Sequence, residues 1–313
     1  MKRFLKNITN IGWIGTIVLS VVSVICWLPD FLLKNPVEIG ITFALCIVNA
    51  FLLMVLAYRT GVTRTRSGIP LFCYMLLVGT VDSLHSQWEG QLAVLCVLMV
   101  MFLLIRAYRS QNAVEEAFLC GILIAGCSLL LPDVIFLLPA LWIGFSLQRA
   151  FNGRIIASSL TGVAVVALYS AAAWWMGWLC PCRWGNFFER EFPESIQLYQ
   201  SILLAAWAVL FIVEGILSFS RANSGEQSYL SLMALPALLS VILIFFPSAD
   251  FDTMQGVAAL TIAAFATHFF SNRNSVWSGI VFLLWIVINL GMYVFSVWQS
   301  GSAALALSEV LLP

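Results

Sequence analysis

The chain has 313 residues, of which 62% are apolar and only 10% charged, with 15 basic and 15 acidic residues in balance. Soluble domains are nearer half apolar and a quarter charged, so a soluble core is excluded. Without a basic tract, nucleic acid is not an expected partner.

The apolar residues fall in blocks of membrane-spanning length separated by short polar stretches. This predicts an all-α polytopic membrane protein, a single integral-membrane domain over 1–313. Strands of a β-barrel would alternate over about ten residues and keep a polar lumen side, a pattern not seen here.

Lys2, Arg3 and Lys6 precede the first apolar run, 11–28. They resemble the start of a signal peptide, but the run is long and no small-x-small site follows, so a retained first helix is expected. Trp27, Pro29 and Asp30 mark its outer end, and 29–37 reads as the first external loop. A second span, 39–57, leads to Arg59, Arg64 and Arg66. The third, 69–81, is about 20 Å long at ~1.5 Å per residue. It must draw in flanking residues, meet a thin bilayer or be partly re-entrant. The external loop 82–90 (D-S-L-H-S-Q-W-E-G) precedes a fourth span at 91–105.

Between Ala117 and Leu147 the only charge is Asp133, after Pro132. One helix of that length would be about 46 Å, longer than a hydrocarbon core of ~30 Å. Read as a hairpin over 106–154, it places Arg106, Arg109, Arg149 and Arg154 on one membrane face and Asp133 at the outer tip. The seventh span, 155–179, ends in Trp174, Trp175 and Trp178, as interfaces favour. The longest external segment, 180–200, follows. Spans eight to eleven are expected at 201–219, 229–246, 254–270 and 276–298, with an external tail at 301–313.

This arrangement puts Lys2, Arg3, Lys6, Arg59, Arg64, Arg66, Arg106, Arg109, Arg149, Arg154, Arg221 and Arg273 on one side, twelve of the 15 basic residues. Lys34, Arg183 and Arg190 are on the other. The positive-inside bias then orients the chain with its N-terminus cytoplasmic and its C-terminus periplasmic, in a bacterial inner membrane. The count is about eleven spans, or nine to ten if the third or tenth is re-entrant.

Walker A, H-E-x-x-H, nucleophile-elbow and dinucleotide motifs are absent from the sequence. Three sets of residues carry chemical possibilities. Asp30, Asp82, His85, Glu89 and Asp133 occupy outward turns and form a candidate catalytic rim. A carboxylate there suits a general base toward a hydroxyl, or a divalent metal ion beside a phosphate. Acids also gather in external turns merely as polar turn formers. Glu214 and His268 lie in apolar runs and form a candidate proton-linked pair, or simply face a wet vestibule or cap packing. Arg59, Arg64, Arg66, Arg106, Arg109, Arg149 and Arg154 are candidates for contact with anionic lipid phosphates, or determine topology alone. Cys180 and Cys182 are external thiols with open pairing. Cys26, Cys46, Cys73, Cys96, Cys120 and Cys127 read as small hydrophobes.

The blocks R-T-R-S-G-I-P-L-F-C-Y-M-L-L (64–77) and R-A-Y-R-S-Q-N-A-V-E-E-A-F-L-C-G-I-L-I-A-G-C-S-L-L-L-P-D-V-I-F-L-L-P-A-L-W (106–142) resemble an uncharacterised Bacteroidetes family of multi-pass inner-membrane proteins. The segment 117–142 is also similar in style to membrane glycosyltransferases of the GT-C type, which start inside and use an acid in the first external loop. Asp30 matches that place. The first loop is shorter than in that family, and residues 1–313 leave no C-terminal periplasmic domain expected within them. The resemblance implies an outer-leaflet transferase with a polyprenyl-phosphate-linked sugar donor. The small residues of the segment equally suit helix packing. A non-enzymatic scaffold with envelope protein partners, and a lipid or solute transporter using Glu214, are the competing classes.

Overall fold

The computed structural model describes residues 13–33, 35–63, 67–81, 83–86, 88–108, 110, 113–177, 195–245, 251–272 and 276–311. The described residues are mostly helical and contain no strand. In chain order the helices are α1 (Trp13–Leu33), α2 (Pro36–Arg59), α3 (Ile69–Thr80), α4 (Ser83–Ser86), α5 (Trp88–Arg106), α6 (Val114–Ser128), a 3-10 turn (Pro132–Phe136), α7 (Leu137–Leu147), α8 (Gly153–Trp175), α9 (Ser195–Phe219), α10 (Ser224–Phe245), α11 (Phe251–Asn272) and α12 (Val276–Leu311).

Among the described residues, five helices are long and apolar enough to cross a membrane: α2, α5, α8, Tyr199–Phe219 of α9 and Val276–Trp298 of α12. Shorter apolar helical stretches accompany them at Ser20–Asp30, Ile69–Thr80, Val134–Leu147 and Gln255–Ser271. The chain is therefore an α-helical membrane protein. A helix covers most of each apolar run expected from the sequence. α12 continues as helix beyond the expected span, through Gly301 to Leu311.

The organising element is α3. At 12 residues it is about 18 Å long at ~1.5 Å per residue, too short to face lipid across a full hydrocarbon core. It has no need to do so. Every residue of α3 except Leu71 is buried, because α1, α2, α11 and α12 pack around it. Non-helical backbone is tolerated at membrane depth where protein covers it, so the break after Thr80 is sheltered. Gly79 lets α1 approach: a Cβ there would lie 3.2 Å from the Ser23 carbonyl oxygen. Phe72, Phe211, Phe270, Phe282 and Trp285 interlock α3, α9, α11 and α12 through ring contacts of 4.9–6.4 Å.

The 106–154 segment turns at the expected place, but its two legs diverge. α6 packs along α8, while α7 packs on α10. Glycine decides this: a Cβ on Gly121 would strike the Ser159 carbonyl, and one on Gly162 would strike the Phe118 carbonyl. Backbone-to-backbone packing through small residues is how membrane helices gain dispersion energy without a hydrophobic driving force.

Two helix ends are sealed by Schellman motifs. After α2, Val62 N–H donates to Ala57 O and Gly61 N–H to Tyr58 O, with Gly61 at φ 74°. After α7, Ala150 N–H donates to Phe145 O and Arg149 N–H to Ser146 O, with Arg149 at φ 57° in the position glycine prefers.

Long-range contacts sort the helix ends. Gly225 abuts Thr60, so the α9–α10 turn adjoins the end of α2 that carries Arg59. At the opposite end, Gly256 abuts Gly90, Gln255 donates to Ser201, and Tyr293 reaches Cys26.

Candidate functional site

The expected first loop is mostly helix. α1 runs through Pro29 and Asp30 to Leu33, and α2 begins at Pro36, so only residues 34 and 35 intervene. Asn35 caps α2 by accepting from Val37 N–H at 3.3 Å, and Pro36 suits the first turn, where its missing N–H costs nothing. Proline within α1 removes a donor from the helix ladder. In the turn before it, the Tyr293 hydroxyl donates to the Cys26 carbonyl at 2.7 Å. Asp30 is thus a buried helical residue, 6% exposed, rather than a solvated turn acid.

Its partner is His85 of α4, fully buried. His85 Nδ1 lies 2.5 Å from Asp30 Oδ2, and Nε2 lies 3.0 Å from the Val78 carbonyl oxygen. Val78 is in the last turn of α3, and its carbonyl also accepts from the capping Val81 N–H at 3.3 Å. A carbonyl can only accept, so Nε2 carries hydrogen and one further proton lies between Nδ1 and Oδ2. Whichever atom holds it, the pair is neutral as a unit. That neutrality makes it tolerable inside an apolar bundle. The indole of Trp27 stacks on the imidazole at 4.0 Å between centroids, and Phe43 meets that indole edge-on at 5.2 Å. With both ring nitrogens engaged, His85 can accept a proton from a third group only if the Val78 or Asp30 contact opens.

Of the remaining expected rim, Glu89 is half-buried in the first turn of α5, immediately after α4. Asp133 is in the 3-10 turn, but its side chain and all of Asp82 lie outside the described residues. The structure brings Asp30 and His85 together.

The described arginines Arg59, Arg106, Arg149 and Arg154 are exposed at helix ends. Arg59 lies over the Phe102 ring at 5.8 Å, and the exposed Arg106 approaches the mostly buried Glu116 at 3.9 Å. Arg64, Arg66 and Arg109 lie outside the described residues. Glu214 is half-buried on α9, and His268 is buried on α11. These helices pack together, with Gly215 against the Phe265 ring. Cys180 and Cys182 lie outside the described residues, and the expected loop 180–200 gives way to helix at Ser195.

A second polar cluster was not anticipated. Asn49, Tyr74 and Gln91 are fully buried where α2, α3 and α5 meet. Asn49 Nδ2 donates to the Gln91 backbone carbonyl at 2.9 Å and to Gln91 Oε1 at 3.2 Å, and the Tyr74 hydroxyl donates to Oε1 at 2.8 Å. The available signal was an amide or phenol inside each of three apolar runs, where a polar side chain needs a partner on a neighbouring helix.

Among the described residues no group of three or more His, Cys, Asp and Glu side chains forms a metal-ligand set. Asp30 Oδ2 and the His85 nitrogens are directed at one another and at Val78. Among the described residues an apolar groove of about 520 Å³ opens between α6 and α8, lined by Ile122, Leu129, Val165, Val166, Tyr169 and Met176. No protein-family model, curated protein or solved structure matches the chain.

Proposed function

We propose that the chain is a bacterial inner-membrane protein with eleven crossings and a cytoplasmic N-terminus, acting as a non-enzymatic scaffold or assembly partner in envelope biogenesis. The orientation rests on the basic residues, which collect beside alternate helix ends. The observation that carries the scaffold reading is the full engagement of His85, by Asp30 on one nitrogen and the Val78 carbonyl on the other. In this reading the pair ties the first helix to the break after α3. It fixes the outer surface on which envelope partners assemble.

A second reading is an outer-leaflet GT-C-like transferase. It is favoured by the burial of a carboxylate near the end of the first helix, since intramembrane acids default to a functional role. The α6–α8 groove would hold the isoprenoid of a polyprenyl-phosphate-linked sugar. Asp30 would take the acceptor hydroxyl proton, with His85 positioning its carboxylate.

Asp30→Asn separates the two. As a scaffold, the variant loses co-purifying envelope proteins, and any glycan change follows protein abundance. Loss of a glycan product at unchanged abundance and unchanged partner recovery would overturn the scaffold reading and support the transferase.

A further inference from the structure

The break after α3 borders a small polar cavity. Thr80 ends α3, and Val81 leaves the helix in extended backbone at φ −106° and ψ 101°. A cavity of about 10 Å³ lies beside them, bounded also by Gln200 and Leu204 of α9 and by Asn289 and Met292 of α12. Thr80, Gln200 and Asn289 are 3%, 2% and 2% exposed. Gln200 and Asn289 are amides in apolar helices, where a buried polar side chain needs a partner. Asn289 has one: its Nδ2 donates to the Trp285 carbonyl at 2.7 Å, which leaves Oδ1 to accept. The Thr80 hydroxyl directs its single hydrogen at the Leu76 and Leu77 carbonyls, at 2.9 and 3.1 Å, so its oxygen is also left to accept. Gln200 is the exception. Neither its Nε2 nor its Oε1 meets a hydrogen-bond partner among the described residues. Buried amides nearly always have one, and internal water serves where the protein offers none.

We propose that this cavity is a binding site for one ordered water, which joins α9 and α12 to the break after α3. The volume matches the ~10–15 Å³ that one water requires. The water accepts from Gln200 Nε2 and donates its two hydrogens to Thr80 Oγ1 and Asn289 Oδ1, about the three bonds usual for a buried water. A cation suits this lining less well. It would satisfy the oxygens and leave Nε2 unmet, and among the described residues no carboxylate lines the cavity to balance its charge. Val78, two residues before Thr80, holds His85, so the water braces the same break through a second set of helices. This inference goes beyond both functional readings above and rests on neither, because Asp30 and His85 do not line the cavity.

The test is a crystal structure of the full chain grown from a lipid mesophase, at a resolution that shows ordered water. A density peak should lie about 2.7–3.2 Å from the Gln200 amide and from Thr80 Oγ1 or Asn289 Oδ1. Reversible unfolding in mixed micelles gives a second readout. Gln200→Leu and Asn289→Leu each remove a bond to the same water, so the double variant should depart from additivity by about fivefold or more in the unfolding equilibrium constant. The wild-type Tm should be equal in sodium, ammonium and N-methylglucamine chloride at matched ionic strength. A Tm raised by sodium or ammonium alone would assign the site to a cation and overturn the proposal. So would additivity of the two substitutions, or a wild-type map with no peak beside Gln200. The wild-type map decides this even if a variant fails to fold.

Discussion

Replacing Gly121 with alanine should weaken the protein, whereas the same change five residues later should not. A Cβ on Gly121 would collide with the Ser159 carbonyl oxygen and stand 3.0 and 3.2 Å from Ser159 C and Cα. Ordinary carbon contacts begin near ~3.5 Å, and the obstacle is backbone, which has no rotamer to yield. α8 must retreat by roughly 0.5–1 Å, a gap that forfeits a quarter to a half of each affected contact. The expected loss is about 1–3 kcal/mol, the usual range for overpacking. At Gly126, on the same helix, a Cβ would meet nothing within 4 Å. There alanine should be neutral or stabilise by up to about 1 kcal/mol through helix propensity. Reversible unfolding in mixed micelles, followed by tryptophan fluorescence, measures both. Equal effects at the two positions would refute the claim that backbone contact, rather than loss of glycine itself, sets the α6–α8 crossing.

The remaining outcomes concern the ends and the polar interior. His85→Ala leaves the buried Asp30 carboxyl without its imidazole and should cost about 3–5 kcal/mol, the range for removing one member of a buried pair. A double-mutant cycle with Asp30→Ala should return a coupling energy above ~1 kcal/mol, and additivity would mean the two side chains do not interact. Arg149→Gly relieves a left-handed residue in a Schellman position and should raise stability by about 1 kcal/mol in thermal unfolding, while a loss would show that the arginine side chain contributes there. Single cysteines at positions 59, 106, 149 and 154, placed in a chain stripped of its own cysteines, should react with an impermeant maleimide only after the membrane is opened. Labelling in intact spheroplasts would reverse the assigned orientation.

What could be read from the chain alone follows from local chemistry. Hydrocarbon solvates no backbone polar group, so runs of apolar residues must be helices, and they are. Pro132 must interrupt the run around it, and the helix does break there. The turn positions of Arg59, Arg106, Arg149 and Arg154 were equally legible, because charges are expelled to helix ends. Other features depend on which helices meet. Pro29 resembled a helix terminator, but α1 continues through it to Leu33. α3 looked too short to cross, a problem only if lipid surrounds it, and four helices do so instead. The legs of the 106–154 turn carry no mark of their separate partners. The Gly121–Ser159 and Gly162–Phe118 approaches decide that.

Asp30 and His85 were each visible as ionisable residues beside apolar runs, and their pairing was not. Fifty-five positions separate them. Hydropathy sees each residue against its own neighbours, whereas the stability of a buried charge depends on the group opposite. Composition therefore determined that this protein is helical and lies in a membrane. Only the tertiary structure decided that a carboxylate, an imidazole and the Val78 carbonyl share one buried site, because their mutual hydrogen bonds exist only once α1, α3 and α4 have packed.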